Sequence, residues 1–486
     1  MNSEYQRLEG QATECWQQLT AQAGSVTVSS AAEAMQLEEQ MLREGMRLAS
    51  MLFGMILVRS VDDEHAREQD REFVDALPKK FHSQGTRPVT VSLRAGVSVT
   101  LDVRYYHRVK ASSRRAKRKA KHGLYPTLLR LGLHQRETPA AVARMARAAA
   151  LLGSFEEAVG ILRGEGIEVS VNRLRKLVAG TGKMLRRLSE SGLLSAEGNV
   201  SGKRVVVSAD GGRVRLREKK RGKTKKGRQR FQPKWREPRL FMIYVVDDEG
   251  RQDRDFLPII DGSMGSCDEL FALLLAYLQG LKITQAERVE FVADGAAWIW
   301  NRVPGLVEAL GLRDDQVQQL IDFWHAVEYL GKLAESTKLD VTARKRWVTT
   351  QKKRLLRGEI GSVVDAITEL TKRRRSKDQT TWLNYFITHG LEHRRMDYSR
   401  ARHHHMPIGS GAIESAIRRV INLRVKGNAI YWLRENAETM IRLRAWIKAG
   451  RAEELFHQTT YVPPQVNSRG RCGVRSVKRR LWLLYW

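Results

Sequence analysis

Cysteine is scarce in this sequence of 486 residues, which contains only three. Cys15, Cys267 and Cys472 are odd in number and lie far apart. They therefore form neither a disulfide framework nor the paired C-x-x-C pattern of a zinc site. This shortage is typical of a protein in a reducing compartment, and we expect a cytoplasmic location.

Long hydrophobic runs are also missing. The apolar stretch at residues 51–58 is too short to span a bilayer, and the polar N-terminal sequence does not resemble a secretory signal. Hydrophobic residues make up 42% of the chain and charged residues 29%, which is typical of globular proteins. A chain of this length can form about two to four domains, each with its own core.

Acidic residues are also in short supply, since the chain contains 54 Asp and Glu but 85 Lys and Arg, and its net charge is +31. Residues 105–123 contain eight cations and no acid, and residues 213–239 contain fourteen cations and two acids. Such concentrations of charge are typical of surfaces that bind a polyanion. A membrane surface is the competing partner, but neither segment has the pattern of an amphipathic basic helix with an aromatic face. Nucleic acid is therefore favoured.

Changes in composition, and the positions of glycine, proline and helix-capping residues, divide the chain into five predicted segments. Residues 1–80 are predicted to be helical, and alternating residues around Ala95-Gly96 predict a hairpin before the basic linker. The segments are a helical region (1–80), a hairpin plus basic linker (81–125), a helix-turn-helix-like domain (126–195), an α/β domain with a helical insertion at about 331–402 (200–450) and an irregular tail (451–486).

Three helix starts mark the domain at 126–195. Thr138 precedes a proline at a first helical position, Ser154 opens a capping box, and Ser170 precedes a third helix. The third helix has an apolar face, and its basic residues lie mostly off that face. Two short helices and a basic third resemble a helix-turn-helix unit, with an ordinary three-helix bundle as the alternative. The basic residues are Arg173, Arg175 and Lys176.

The α/β domain begins with strands. The sequence predicts strands over residues 204–210, 213–218, 240–246, 289–294 and 317–323, and a helix over 268–281. A basic loop is predicted at 219–238. Strands that come first, followed by alternating helix and strand, predict a mixed sheet with helices on its faces.

Three acidic residues lie in glycine-marked contexts. Asp210 and Asp294 each close an apolar strand-like run and precede a glycine, and Glu414 starts a predicted helix after a Gly-Ser-Gly sequence. A carboxylate at the C-terminal end of a strand faces the sheet edge where ligands bind. A single Asp-Gly pair is often an ordinary turn. Three such acids in a strongly basic chain predict a divalent-metal site that acts on phosphodiesters.

Other ionisable residues near these motifs leave alternatives open. Asp322 and His325 lie at a predicted strand–helix junction, where Asp322 is either a helix N-cap or, with His325, part of the metal site. Three adjacent histidines at 403–405 are interpreted as a solvated loop rather than a metal site. Spacing alone does not exclude Glu435 or Glu438 in place of Glu414.

Five sequence segments, in this order along the chain, resemble those of a known family: ADGGRVRLRE, KWREPRLF, VADGAAWIW, DFWHAVEYL and GSGAIESAIRRVINLRVKG. They resemble bacterial insertion-sequence transposases of the ISKra group, within the DDE transposases that have an RNase H-like catalytic fold. The likeness is strongest over about residues 205–444. It implies that Asp210, Asp294 and Glu414 bind two Mg²⁺ ions, with Mn²⁺ as a substitute, and that Asp322 and His325 match an Asp-x-x-His signature. Many relatives carry cysteine pairs after the position of Tyr105-Tyr106; this chain does not, so zinc is not implied.

The resemblance implies a function. The chain would bind double-stranded DNA at element ends and target sites, cleave strands and transfer them, as a dimer or larger assembly near the bacterial nucleoid. A catalytically silent DNA-binding regulator and a nuclease that cuts without joining are the alternatives. Beyond the third helix of the helix-turn-helix-like domain, the predicted DNA contacts are Arg114, Arg115, Lys117, Arg118, Lys219, Lys220, Lys225, Lys226, Arg418, Arg419, Arg424 and Lys426.

Overall fold

The computed structural model describes residues 2–77, 80–108, 123–372 and 375–460. The described residues form two compact units, one of residues 2–194 with residues 453–460 and one of Ser195–Ala452. Among the described residues, no helix is both long enough and apolar enough to cross a membrane.

Three helices open the first unit, as the sequence predicts. They are α1 (Ser3–Ser25), α2 (Ala31–Asp62) and α3 (Glu64–Asp75). Each begins at a residue whose side chain accepts a backbone N–H of the first turn, namely Asn2, Ser30 and Asp63. Helices α1 and α2 pack on each other and on the sheet that follows, around a shared apolar core.

The predicted hairpin is confirmed. Strands β1 (Phe81–Ser92) and β2 (Ser98–Arg108) pair antiparallel, and β3 (Gly123–Leu124) adds a short third strand. The turn contains Ala95 and Gly96, both at positive φ (52° and 70°), the backbone that tight hairpins require. Most of the basic linker that the sequence predicts lies outside the described residues.

The helix starts of the next domain are also confirmed. A short helix α4 (Pro126–Arg130) precedes α5 (Pro139–Leu151), α6 (Phe155–Gly164) and α7 (Val171–Glu190). The last three begin at the predicted caps, and they pack on one another. The arrangement is compatible with either a helix-turn-helix or a three-helix bundle, so the DNA-binding assignment stays a prediction, as does the finer division into five segments.

The second unit is built on a five-stranded mixed sheet. Its strands are β4 (Arg204–Gly211), β7 (Arg239–Val246), β8 (Ile259–Ser263), β9 (Arg288–Ala293) and β10 (Val317–Ile321). The spatial order is β10-β9-β4-β7-β8, with β10, β9 and β4 parallel and β7 and β8 antiparallel to their neighbours. This is an RNase H-like arrangement, and the predicted α/β fold class is confirmed.

Two features of the sheet region depart from the sequence-based prediction. Strand β8 was not predicted, because its five buried residues include Asp261 and Gly262, which interrupt an apolar run. The predicted basic loop is wrong: β5 (Val214–Lys223) and β6 (Gln229–Arg236) pair antiparallel as a two-stranded ribbon. Cross-strand pairing stabilises the ribbon despite the low strand propensity of a lysine-rich segment. In one such pair, Oε1 of Glu218 accepts a hydrogen bond from Nε of Arg236 at 2.7 Å.

Helices cover the sheet and form the predicted insertion. Those after β8 and β9 are α8 (Cys267–Gly280), α9 (Ala297–Trp300) and α10 (Val303–Leu310). The insertion contains α11 (Phe323–Glu335), α12 (Val341–Leu356), α13 (Ile360–Leu370), α14 (Lys377–Phe386) and α15 (Tyr398–His403). It is followed by α16 (Gly411–Ile417) and α17 (Arg434–Lys448). The helix α18 (Ala452–Thr460) belongs to the first unit from Glu453 onward.

Candidate active site

Three parallel strands bring three aspartates to one edge of the sheet. Asp210 lies near the end of β4, Asp294 directly follows β9, and Asp322 directly follows β10. Because parallel neighbours end on the same side, their carboxylates share the C-terminal edge of the sheet. Helix α16, which carries Glu414, packs against β4 and its neighbour β7.

The glycines after the aspartates serve close packing. Neither Gly212 nor Gly295 has a positive φ, so neither is explained by a left-handed turn. A Cβ atom on Gly295 would lie 2.3 Å from Cε2 of Tyr385, and one on Gly212 would lie 2.6 Å from Cδ1 of Ile421. The Asp-Gly sequences therefore let neighbouring elements approach the acidic edge.

The ionisation of Asp210 is shifted by its surroundings. Burial, together with the negative charges of Asp294 and Glu414, raises the pKa of Asp210 to about 6, against the opposing effects of the backbone N–H of Gly211 and the charge of His325. Asp294 is held by its own turn, since its Oδ1 accepts the N–H of Ala296 at 3.0 Å. Asp294 and Glu414 thus both act electrostatically on Asp210.

Asp322 and His325 form a tight pair beside these acids. Asp322 is 1% exposed and caps α11 by accepting the N–H of His325 at 2.9 Å. Its Oδ1 also lies 3.3 Å from Nδ1 of His325. The N-cap interpretation of Asp322 is therefore correct, and a role for Asp322 and His325 in a metal site stays a prediction.

Ser410 supplies the remaining bonds to Asp322. Its hydroxyl donates to Oδ2 of Asp322 at 2.7 Å, its backbone N–H donates to the same oxygen, and the hydroxyl lies 3.3 Å from Oε1 of Glu414. Burial alone would raise the pKa of Asp322, but the hydrogen bonds from His325 and Ser410 outweigh it and hold that pKa well below its usual range. Ser410 was missed by sequence reasoning, although it lies inside the Gly-Ser-Gly sequence before Glu414.

His325 carries positive charge in the middle of this cluster. Its hydrogen bond to Asp322, helped by the charges of Asp294 and Glu414, raises the pKa of His325 to about 9. At neutral pH the imidazole is therefore protonated. Ligand atoms of Asp322, His325 and Glu414 all lie within 4.8 Å of one another. In the described part of the chain, neither Asp210 and Asp294 nor the histidines at 403–405 belong to a group this close.

The structure distinguishes Glu414 from its two alternatives. Glu414 acts electrostatically on both Asp210 and His325. Glu438 instead lies on α17, beside the edge strand β8, where its Oε1 is 3.4 Å from Oγ of Ser263. Glu435 is exposed in the first turn of the same helix. Of the three glutamates, Glu414 is the one placed with the aspartates.

The helical insertion forms one wall of the site. Tyr385 on α14 packs against Gly295 and stacks on Tyr329 of α11, with ring centroids 4.4 Å apart. Burial raises the pKa of Tyr385, and the charges of Asp294 and Asp322 add to that effect. The insertion therefore contacts the residue that follows Asp294.

A basic pocket of about 500 Å³ adjoins Asp210. Its lining includes Gly211, Gly212 and Trp235, together with three cations and one acid, namely Arg213, Arg236, Lys426 and Glu237. The ribbon β5–β6 forms one side of it, and residues 219–230, which include eight Lys and Arg, are all exposed. A two-stranded ribbon of this kind fits the major groove of DNA.

The predicted DNA contacts differ in accessibility. Arg173 and Arg419 are half-buried, and the segment with Arg114, Arg115, Lys117 and Arg118 lies outside the described residues. One prediction needs correction: Arg424 is 6% exposed, with its guanidinium 5.3 Å from the ring centroid of Trp432, so this side chain packs in the unit rather than facing solvent. The exposed ones are Arg175, Lys176, Lys219, Lys220, Lys225, Lys226, Arg418 and Lys426.

Comparisons with known proteins give little further guidance. No family model and no curated protein matches the chain. Among solved structures, a Drosophila P element transposase strand transfer complex is similar at 11% identity, with 63% of this chain and 79% of that chain covered and a TM-score of 0.23. A likeness this weak carries no argument about function, so the function rests on the residues themselves.

Proposed function

We propose that this chain is a DDE-type transposase of an insertion sequence, of the kind the ISKra resemblance implies. The observation that carries the proposal is that Asp210 and Asp294 lie at the C-terminal edge of an RNase H-like sheet, where Asp294 and Glu414 both act electrostatically on Asp210. Enzymes that cut phosphodiesters with two metal ions need such a set of carboxylates on a rigid scaffold. The substrate would be double-stranded DNA at element ends and target sites.

The donor set fits Mg²⁺. Carboxylate oxygens are the ligands that Mg²⁺ prefers, and the negative charges of Asp294 and Glu414 raise the pKa of Asp210 although the positive charge of His325 opposes them. Asp210, Asp294 and Glu414 would hold two ions, which would activate the attacking oxygen and stabilise the leaving oxygen.

The chain's own residues would hold the DNA. Arg213, Arg236 and Lys426 line the pocket beside Asp210 and would contact phosphates of the strand that enters the site. The indole of Trp235 would pack on an unpaired base there. His325, protonated at neutral pH and fixed by Asp322, would donate a hydrogen bond to a phosphate oxygen.

The test is an assay with purified protein, the DNA that borders its gene, and Mg²⁺ or Mn²⁺. We expect strand cleavage and joining to a target plasmid. Asp210→Asn, Asp294→Asn and Glu414→Gln should each lower both rates by at least about a thousandfold, because each removes a charged ligand.

Glu438→Gln is the matched control for Glu414→Gln, since Glu438 lies away from the aspartates on α17. It should retain the wild-type rates. Cleavage without joining would support the nuclease alternative, and DNA binding without cleavage under either metal would support the silent regulator. Equal losses from Glu414→Gln and Glu438→Gln would contradict the assignment of Glu414.

A further inference from the structure

Two tryptophans beside the acidic edge of the sheet are exposed. Trp324 is 60% exposed and Trp235 is 52% exposed, although tryptophan side chains are on average highly buried. Trp235 lines the pocket that contains Gly211 and Gly212, and Trp324 lies in the first turn of α11. An exposed indole offers a ligand a large flat apolar surface.

The indole of Trp324 is held next to the carboxylate of Asp322. A Cβ atom on Gly409 would lie 3.3 Å from Cδ1 of Trp324 and 3.5 Å from Oδ2 of Asp322, so both side chains lie beside the same glycine. The indole also packs edge-to-face on Phe323, with ring centroids 5.3 Å apart, and Phe323 is buried. These contacts fix the position of the exposed ring at the acidic edge.

The surroundings of Trp324 are basic. The ammonium of Lys352, on α12, lies 4.5 Å from the centroid of the Trp324 ring, which is a cation–π contact. Because Trp324 is nevertheless 60% exposed, much of its ring is open to solvent. Glu328, one turn further along α11, is paired with Lys332 at 2.7 Å. Helix α12 itself contains six Lys and Arg and no acid, so its surface attracts anions.

The two exposed tryptophans lie at opposite ends of the row of aspartates. Asp322, Asp294 and Asp210 lie at the ends of the neighbouring strands β10, β9 and β4, and neighbouring strands are about 4.8 Å apart. Trp324 adjoins the Asp322 end of this row, and Trp235, on the ribbon β5–β6, adjoins the Asp210 end. A DNA strand that crosses the row therefore meets an indole on either side.

We propose that Trp324 and Lys352 form a subsite for an unpaired nucleotide of the DNA strand that crosses the acidic edge. The base stacks on the open part of the Trp324 ring, and a phosphate of the same strand contacts the ammonium of Lys352. A base inside an intact duplex is already stacked on its neighbours, so the duplex must open before the base reaches an indole. The ligand of this subsite is therefore single-stranded or locally opened DNA.

The subsite rests on the proposed function for the identity of its ligand, but it contains none of the three predicted metal ligands. Binding at Trp324 can consequently be measured without metal and without cleavage. A protein that binds single strands through Trp324 but neither cuts nor joins DNA would refute the transposase and retain the subsite. A protein that cuts and joins DNA while Trp324→Ala binds like the wild type would refute the subsite alone.

The first test is the affinity of the full-length protein for a fluorescein-labelled single-stranded oligothymidine, measured by fluorescence anisotropy with a chelator present. Trp324→Ala should weaken binding about tenfold, because stacking of one base on an aromatic side chain contributes a factor of this size. Trp324→Phe keeps an aromatic ring and should retain most of the affinity. Trp16→Ala is the matched control, since Trp16 is 59% exposed and belongs to the other unit, and it should bind like the wild type.

The dependence of binding on salt separates the phosphate contact from the base contact. Loss of one phosphate contact reduces the slope of log K against log salt by about 0.7 on single strands. Lys352→Gln should therefore reduce this slope by about 0.7, whereas Trp324→Ala should lower the affinity at every salt concentration with the slope unchanged. Lys282→Gln is the matched control, because Lys282 is exposed and lies shortly before the start of β9, near the opposite edge of the sheet. An unchanged slope for Lys352→Gln would overturn the phosphate contact.

Two competing ligands test the class of nucleic acid. On a paired duplex of oligothymidine and oligoadenosine, Trp324→Ala should change the affinity by less than about twofold, because no base is free to stack. An equal loss of affinity on duplex and single strand would overturn the proposal. Single-stranded oligouridine has similar bases but carries 2′-hydroxyl groups. If the wild type binds oligouridine more tightly than oligothymidine, the subsite belongs to RNA and the proposal fails.

Photochemical cross-linking tests the position of the base directly and needs no variant. A single strand in which iododeoxyuridine replaces thymidine should cross-link to Trp324 of the wild type under long-wave ultraviolet light, and mass spectrometry of the digested protein identifies the residue. Circular dichroism shows whether the variants remain folded, and if Trp324→Ala does not fold, the cross-link decides. Cross-links confined to other residues would overturn the proposal.

Discussion

Two acidic clusters in the same sheet contrast in how their charge is compensated. Asp261 on β8 is fully buried and accepts hydrogen bonds from Arg442, at 2.9 and 2.6 Å, and from Tyr277 at 2.8 Å. Asp210 on β4 is half-buried, and its strongest neighbours include two further acids. The carboxylate of Asp261 therefore has several hydrogen-bond donors, whereas the carboxylate of Asp210 has two other negatively charged carboxylates among its neighbours.

The contrast separates structural acids from functional ones. A buried carboxylate with a bidentate arginine and a tyrosine hydroxyl has little capacity left for a ligand. A carboxylate whose pKa is raised by neighbouring carboxylates favours a cation that the chain itself does not fully provide. Position in the sheet does not distinguish the two, because both acids close or occupy strands of one sheet. The partners distinguish them.

The largest expected effect comes from breaking the compensated cluster. Arg442→Ala leaves Asp261 buried without its counter-charge, and we expect the free energy of unfolding to fall by about 3–5 kcal/mol. Urea denaturation followed by circular dichroism measures this loss.

The double variant Asp261→Leu with Arg442→Met is the control for Arg442→Ala. Replacing both partners removes the uncompensated charge, so most of the lost stability should return. A loss below about 1 kcal/mol in the single variant would contradict the view that this ion pair supports the fold.

In contrast to Arg442→Ala, removing the charge of Asp210 should stabilise the protein when no metal is bound. The pKa of Asp210 is about 6 in the folded protein, above the ordinary value, so the folded state holds this proton more firmly than the unfolded state. The resulting stability is present below pH 4 and is lost as pH rises through about 6. Without metal, Asp210→Asn should therefore stabilise the protein by about 1–2 kcal/mol at pH 8 and change it little at pH 4.

Thermal unfolding with a chelator, at both pH values, measures this effect. Added Mg²⁺ should raise the unfolding temperature of the wild type more than that of Asp210→Asn, because binding to the folded state adds stability. Destabilisation by Asp210→Asn at pH 8, or an equal response of both proteins to Mg²⁺, would show that the acids are compensated by the chain.

The sequence predicted the uncompensated cluster better than the compensated one. Asp210 and Asp294 close apolar runs, so local pattern alone placed them at strand ends. Asp261 lies in the middle of a short strand whose pattern it interrupts, and its partners are sixteen and 181 residues away. No local pattern contains those contacts. Glu414 was selected by family resemblance, and its position beside Asp210 depends on how α16 packs on the sheet.

The sequence-based prediction also missed the ribbon β5–β6 and the role of Ser410. A lysine-rich segment has low strand propensity, and only the pairing of β5 with β6 makes it a ribbon. Ser410 acts on Asp322, 88 residues earlier in the chain, so its importance appears only when the fold brings the two together. The contact of Ser410 joins distant residues, whereas the pairing of β5 with β6 is local, from Lys223 and Gln229 outward, and was missed because of the lysine-rich composition.

The smallest expected effect concerns Ser410, which contacts both Asp322 and Glu414. Its hydroxyl bonds the buried Asp322 at 2.7 Å and lies 3.3 Å from Glu414. Ser410→Ala should cost about 1–2 kcal/mol of stability, because a buried carboxylate loses a donor, and lower DNA cleavage about tenfold by loosening Glu414. The affinity for DNA should not change, since Ser410 is buried. Ser415→Ala, on the exposed side of α16, is the matched control, and equal effects from both would show that Ser410 does not position the site.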